Sequence, residues 1–166
     1  MTIESFYTTA SQICFTLLGL WWVVVQFKHV EMASQPTRRK MAHAISLHFL
    51  LLGTMSLMSL VAVQAAFLWR VTFGIGGLFG IVSVYFLVSS LQATSRNLDL
   101  IRVGQWVALP LYGLISVFAI VPELAGLLGL GLSALVVEGI LFSLMIFLGV
   151  NMAWFLFMEP DEDQTE

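Results

Sequence analysis

An uninterrupted apolar run dominates the first half of this chain, since no Asp, Glu, Lys or Arg lies between Lys40 and Arg70. Other runs also exceed the roughly 18 apolar residues that indicate a membrane-spanning helix. Charged residues make up 10% of the chain and hydrophobic residues 59%, whereas a soluble domain carries about a quarter charged residues to solvate its surface. The sequence therefore predicts an integral membrane protein that is surrounded by the lipid bilayer.

We predict an all-α membrane protein in which residues 1–158 form a single domain, a bundle of five transmembrane helices. The apolar runs do not alternate apolar and polar residues, as the strands of a transmembrane barrel do. Each is close to the ~20 residues that cross a bilayer as a helix. The predicted spans cover residues 7–27, 42–67, 71–90, 103–121 and 132–158, and residues 159–166 form an acidic tail with five carboxylates.

The connections between the predicted spans differ in length. Almost no linker separates segments two and three, so we expect a tight antiparallel hairpin with Trp69 and Arg70 at its turn. Pro110 and Gly113 are expected to kink segment four, and Pro122 is expected to end it. The acidic tail is interpreted as a solvated end. The alternative is docking to a basic cytosolic partner or screening of the basic loops from anionic lipid.

Basic residues are distributed unevenly over the predicted loops. Lysine and arginine mark the cytoplasmic side of a membrane protein. The prediction is therefore a multi-pass protein of the cell membrane, with its N-terminus outside and its C-terminus in the cytoplasm. Loops one and three hold Lys28, Arg38, Arg39, Lys40, Arg96 and Arg102, and the opposite side holds only Arg70.

Glu138 is the main candidate for a functional charge, because it lies inside predicted segment five. Its position is about 10 Å below the outer surface, at 1.5 Å per residue. An ionised carboxylate there costs a few kcal/mol unless it is paired, protonated or hydrated. One hypothesis is a proton- or cation-binding site that faces a polar cavity. The alternative is a structural carboxyl that pairs with Arg70 or bonds to a neighbouring helix.

Segment one carries a polar stripe at helical spacing. Steps of three and four residues keep the stripe on one face of a helix, and inside a bilayer such a face avoids lipid. It could line an aqueous pathway, within one protomer or at an oligomer axis, or it could pack on other helices. The stripe consists of Ser5, Thr9, Gln12, Thr16, Gly19 and Gln26, of which Gln12, Thr16 and Gln26 are the lining candidates.

Segment three carries a helix-packing motif, the pair Gly76 and Gly80. Small residues four apart let two helix backbones approach closely. The motif predicts a close contact within the chain or between chains and carries no chemistry.

Metal, cofactor and catalytic motifs are not recognisable. His29, His43 and His48 cluster toward the cytoplasmic side, but His43 and His48 diverge by about 140° on a helix, so we interpret the three as interfacial. No phosphate loop, paired catalytic carboxylates or Ser/His/Asp set is found, and no basic surface for nucleic acid. We expect no enzyme activity, no cofactor and no metal, and we expect Cys14 to be a small buried hydrophobe.

Two functional hypotheses follow from these features. The first is a channel-like or transporter-like protein that conducts ions, protons or small solutes as a homo-oligomer, with Glu138 as the titrating group and segment one as the lining. The second is a non-catalytic subunit or assembly factor of a larger membrane complex, whose polar and glycine faces serve as contacts. A lipid-processing enzyme is the weakest interpretation, because one acid without a nucleophile or metal set makes a poor active site.

Overall fold

The computed structural model describes residues 2–30, 35–61, 66–92, 98–127, 129 and 131–158, and within them all regular structure is helical. The prediction of an all-helical chain is confirmed for this part of the protein. The helices are α1 (Ile3–Phe27), α2 (Pro36–Val61), α3 (Ala66–Gln92), α4 (Leu98–Ile120), α5 (Leu124–Leu127) and α6 (Ala134–Met158). The predicted acidic tail, residues 159–166, lies outside the described residues.

Four of these helices, α1, α2, α3 and α6, are long and apolar enough to cross a membrane. At 1.5 Å per residue, the 25 residues of α6 extend about 38 Å, more than the ~30 Å of a hydrocarbon core. In α4, a shorter apolar stretch runs from Gln105 to Ile120. Pro110 lies inside α4 without ending it.

The five long helices form a closed ring. Contacts join α1 to α2, α2 to α3, α3 to α4, α4 to α6 and α6 back to α1, and α2 also contacts α6 across the middle. The hydroxyl of Tyr7, early in α1, donates to the carbonyl of Leu135, early in α6, at 3.1 Å. At the other ends of these helices, the Lys28 ammonium donates to the Phe157 carbonyl at 3.3 Å. Helices α1 and α6 therefore run in the same direction.

Aromatic side chains fill the centre of the ring. Phe73 of α3 and Phe142 of α6 are fully buried with ring centroids 5.1 Å apart, and Tyr7 packs edge-on against both. Cys14 is also fully buried in this cluster, as expected. Large apolar side chains cover the outside as well, including Phe67 and Phe147, which are 72% and 69% exposed. A surface of this kind suits hydrocarbon, where helices associate through close packing rather than through expulsion of water.

The boundary between the second and third helices differs from the prediction. Helix α2 ends at Val61 and α3 begins at Ala66, so Phe67 belongs to α3 rather than to segment two. Trp69 and Arg70 likewise lie in the first turns of α3 and not at a turn between helices. The apolar sequence near this boundary contains no Gly or Pro to mark it. The charge of Arg70 suggests a turn between helices. Its hydrogen bonds to the Ala119 and Ile120 carbonyls of α4 allow it to lie within a helix instead.

The α4–α6 connection begins where Pro122 predicts it, since α4 ends at Ile120. Short helix α5 follows, and then Gly129 and Gly131 adopt positive φ angles of 67° and 63°. Glycine adopts this left-handed conformation without the steric cost that other residues incur. These turns bring the chain to the start of α6 at Ala134, two residues later than predicted.

Candidate functional site

The polar stripe of α1 lies on the outside of the helix ring. All six of its residues, Ser5, Thr9, Gln12, Thr16, Gly19 and Gln26, are exposed. The opposite face of the same helix is buried and carries Tyr7, Ala10, Cys14, Leu18 and Trp21. The polar face is therefore directed away from the helices of its own protomer.

Most of the hydrogen-bonding capacity on this face is unused within the described part of the chain. The Thr9 hydroxyl donates to the Ser5 carbonyl of its own helix at 2.9 Å, but Gln12, Thr16 and Gln26 make no side-chain hydrogen bond there. A Cβ added at Gly19 would meet nothing within 4 Å. In hydrocarbon, an amide without a partner costs several kcal/mol. This face therefore favours contact with polar groups or water over contact with lipid.

Glu138 lies in the second turn of α6 and is fully buried inside the protomer. Neither carboxylate oxygen has a hydrogen-bond partner in the part of the chain that the structure describes. Tyr7 is near enough to interact electrostatically with Glu138, yet its hydroxyl donates to the carbonyl of Leu135 instead. Phe6 closes the site from α1, packing 3.2 Å from the position of a Cβ on Gly139. The described side chains that approach this position from α1 are the aromatic rings of Phe6 and Tyr7.

Arg70, the candidate partner of Glu138, is engaged elsewhere. Its Nε donates to the Ala119 carbonyl at 3.0 Å and its Nη2 to the Ile120 carbonyl at 2.7 Å. These carbonyls belong to the last turn of α4, where a cation is favourable because the helix dipole is negative there. Arg70 thus holds the start of α3 to the end of α4, and the structure does not bring it together with Glu138.

The structure also separates Glu138 from the polar stripe. Glu138 meets α1 on the Tyr7 side, whereas Gln12 and Thr16 point outward from the opposite side. The first hypothesis assigns Glu138 and the stripe to one pathway, but the two are not brought together within one protomer.

Asn151, another polar residue of α6, donates its amide N–H to the Phe147 carbonyl of its own helix at 2.7 Å.

The glycines of α3 make contacts within the chain. A Cβ at Gly76 would press on the Met55 side chain of α2, and one at Gly80 would overlap the Tyr112 ring of α4. At Gly77, which the motif did not include, an added Cβ would lie 2.8 Å from the Tyr112 carbonyl oxygen and would overlap the hydroxyl of Ser116. Gly77 and Gly80 allow α3 to pack closely on α4, and Gly76 allows it to pack closely on α2, so substituting Gly76 or Gly80 tests the fold rather than a partner.

A cavity of about 600 Å³ lies among α2, α3, α4 and α6. Its lining is mainly apolar, with Leu47, Leu51 and Leu148 among the contributors. Polar side chains enter it from three helices: Lys40, His43 and His48 of α2, Ser83 of α3, and Gln105 and Tyr112 of α4. The volume falls within the ~300–1,000 Å³ range of small-molecule sites.

His48 and Tyr112 form a hydrogen-bonded pair at this cavity. His48 Nε2 lies 2.9 Å from the Met145 carbonyl oxygen, which can only accept, so Nε2 carries a hydrogen. His48 Nδ1 lies 2.8 Å from the Tyr112 hydroxyl, and in a neutral imidazole it accepts the tyrosine proton. Gly149 gives the imidazole room, because a Cβ there would lie 2.6 Å from His48 Cδ2. The tautomer and orientation of the imidazole are thereby fixed.

The sequence contained a signal for this pair that the interfacial interpretation missed. Helix α2 begins at Pro36, so His48 lies about 18 Å along the helix at 1.5 Å per residue. A polar ionisable residue at that depth is a functional-site hypothesis in its own right. His43 lines the same cavity despite its divergent helical angle. Nothing in the local sequence pointed to Tyr112 as the partner, since the two residues are 64 apart in the chain.

Comparisons with protein-family models, curated proteins and solved structures find no match to this chain. In the described residues, no group of three or more His, Cys, Asp or Glu side chains could hold a metal ion. The candidate sites are therefore the outward polar face of α1, the buried Glu138 and the cavity with the His48–Tyr112 pair.

Proposed function

We propose that the chain crosses the cell membrane five times, with its N-terminus outside and its C-terminus in the cytoplasm. Helices α1 and α6 run in the same direction. This supports four passes, by α1 to α4, before α6 crosses the membrane as the fifth. The basic residues Arg38, Arg39 and Lys40 lie at the start of α2, and Trp21, late in α1, donates its indole N–H to the Ala42 carbonyl at 3.0 Å. This end of the bundle would face the cytoplasm by the positive-inside rule.

The proposed function is permeation of ions or small polar solutes through a homo-oligomer in which α1 helices surround the path. The observation that carries the proposal is the outward direction of the polar stripe on α1. In a ring of copies related by symmetry, the same face of every protomer turns toward the axis. Polar side chains that would be costly against lipid then face one another and water.

The residues of the stripe have suitable chemistry for this contact. A glutamine amide both donates and accepts, so Gln12 of one copy can bond to Gln12 of the next without a second kind of residue. Gly19 lets the helices approach closely at its level. Thr16 and Gln26 would line the path with groups that replace part of a solute's hydration. Because Glu138 is buried inside the protomer, the proposed path is lined by neutral groups, and Glu138 is not part of it.

The test is the oligomeric state and the flux of the full chain reconstituted in lipid vesicles. The wild type is expected to show several copies per complex by single-molecule photobleaching, and flux of a small cation or polar solute. Gln12→Leu and Gly19→Leu are expected to shift the complex toward monomers and to reduce flux. Neither substitution is expected to disturb packing within the protomer, since Gln12 is exposed and the space at Gly19 is open.

Thr54→Leu is the matched control, because Thr54 is an exposed polar residue on α2, a helix that does not carry the stripe. Its hydroxyl bonds only to its own helix, at the Leu50 carbonyl. This variant is expected to retain the wild-type oligomer and flux. A wild type that is monomeric in the bilayer and shows no flux would contradict the proposal.

A second candidate function is that of a non-catalytic subunit of a larger membrane complex. The absence of a side chain at Gly19 favours it, because helices that touch at this level would exclude water. In that case the stripe contacts a different protein, and the isolated chain shows neither self-association nor flux. The distinguishing result would be a partner that co-purifies in fixed stoichiometry with the wild type and is lost in Gln12→Leu.

A further inference from the structure

We propose that the cavity among α2, α3, α4 and α6 binds a lipid-soluble molecule with an apolar body, whose hydroxyl group is recognised by the His48–Tyr112 pair. This site is separate from the polar face of α1. It lies within one protomer and does not depend on self-association or permeation.

The position of the cavity indicates entry from the bilayer. Its lining includes Phe79, Val82 and Phe86 of α3, apolar side chains that are 50%, 50% and 67% exposed. Such residues face hydrocarbon in a membrane protein. The lining extends along α2 from Lys40 to Leu51, which is about 16 Å at 1.5 Å per residue. An elongated apolar molecule that dissolves in the bilayer fits this space better than a water-soluble one.

The hydrogen bonds of the pair determine which polar group the cavity recognises. Both ring nitrogens of His48 are engaged, one by Met145 and one by Tyr112. The Tyr112 hydroxyl gives its proton to His48 and retains lone pairs that accept. A ligand must therefore supply a donor. A hydroxyl group has one, whereas a carboxylate or a ketone does not.

The construction of the pair argues against a cavity that merely accommodates bulk acyl chains. Gly149 is needed to admit the imidazole and Gly80 to admit the tyrosine ring. Histidine and tyrosine also bring polar atoms into a space that Leu or Phe would fill without desolvation cost. An acyl chain makes no use of these atoms, whereas a hydroxyl-bearing ligand does.

Photolabelling of the full chain in phosphatidylcholine nanodiscs tests the proposal. The probe is a long-chain alcohol that carries a diazirine, and its control is the same diazirine alkane without the hydroxyl. We expect saturable labelling of cavity peptides, with the alcohol bound at least about tenfold more tightly than the alkane, the factor that corresponds to 1.4 kcal/mol. Tyr112→Phe is expected to abolish this preference while the alkane still labels the cavity, which shows that the cavity is intact.

Two further variants keep the result interpretable. Tyr85→Phe removes the hydroxyl of an exposed tyrosine of α3. Other residues of α3 line the cavity, and this variant is expected to retain the preference for the alcohol. Ala44→Phe fills the cavity from α2, one helical turn before His48, and is expected to reduce labelling by both probes. Equal affinity of the wild type for alcohol and alkane would overturn the proposal and leave an unspecific acyl-chain cavity. Preference for the matching carboxylate or ketone would also overturn it. Neither outcome affects the oligomer and flux measurements proposed for α1.

Discussion

Glu138 is a carboxyl group with both oxygens buried and unbonded within the described part of the chain. A buried polar group without a partner costs about 1–3 kcal/mol in proteins. The nearby Tyr7 hydroxyl does not donate to this carboxyl, because it donates to the Leu135 carbonyl. A purely structural carboxyl at this position is therefore expected to weaken the fold.

Glu138→Met is predicted to stabilise the protein by about 1–3 kcal/mol, because a flexible apolar side chain replaces the unsatisfied carboxyl. The free energy of unfolding in mixed micelles measures this. Glu123→Met is the control, since Glu123 is exposed and its replacement should change stability by less than about 0.5 kcal/mol. A loss of stability in Glu138→Met would show instead that a bound proton, ion or partner satisfies the carboxyl.

Arg70 stabilises the end of α4 through two charged hydrogen bonds to carbonyls. Arg70→Met keeps much of the side-chain bulk and removes both donors, so it is predicted to destabilise the protein by about 1.5–3 kcal/mol. Arg70→Lys is expected to recover part of the loss, because an ammonium still favours a helix C-terminus. Thermal unfolding in detergent compares the three proteins. Equal stability of Arg70→Met and the wild type would mean that solvent satisfies those carbonyls.

At the scale of elements, the contact between α3 and α4 depends on glycines that face α4. A Cβ at Gly77 meets the backbone carbonyl of Tyr112, which can move only if α4 moves. A Cβ at Gly76 meets the flexible thioether of Met55, which can rotate away. The two positions are adjacent in sequence but differ in what they tolerate.

Gly77→Ala is therefore predicted to destabilise the bundle by about 1–3 kcal/mol through overpacking. Gly113→Ala in α4 is the matched substitution, since its Cβ would meet nothing within 4 Å. It is predicted to stabilise the helix by about 0.5–1 kcal/mol, because alanine loses less backbone entropy than glycine. Unfolding of both variants under one condition gives the comparison, and effects of the same sign would contradict this account of the α3–α4 contact.

At the scale of the whole molecule, the proposed topology places the two ends of the bundle on opposite sides of the membrane. Glu123 follows α4, beside the end held by Arg70, and Arg39 lies at the basic end near the start of α2. Both side chains are exposed. The single cysteine, Cys14, is fully buried, so it contributes little background to thiol labelling.

In a Cys14→Ala background, Glu123→Cys is predicted to react with a membrane-impermeant maleimide added to intact cells. Arg39→Cys is predicted to react only after the cells are opened, because the proposed topology places the basic end in the cytoplasm. The extent of labelling on a gel is the measurement. Labelling of Arg39→Cys in intact cells would reverse the proposed orientation.

The helical class, the apolar exterior and the polar stripe of α1 are evident from the order of the amino acids alone. These features depend on composition and on the 3.6-residue period, which any single helix expresses without its neighbours. Pro122 predicts the end of α4 correctly. No Gly or Pro between Val61 and Ala66 marks the boundary between α2 and α3, so the sequence does not predict it. Arg70 was placed at a turn because its partners, the carbonyls of Ala119 and Ile120, are remote in sequence.

The direction of each helix face and the pairs of residues that meet across the bundle depend on tertiary packing. The packing turns the stripe of α1 outward, buries Glu138 near Tyr7 and joins His48 of α2 to Tyr112 of α4. These outcomes depend on how five helices are rotated and ordered around the ring, and that is set by packing. In this chain the packing depends on small residues such as Gly77, Gly80 and Gly149. A sequence pattern shows that a glycine permits a close contact, but the identity of the contacting side chain follows only from the assembled bundle.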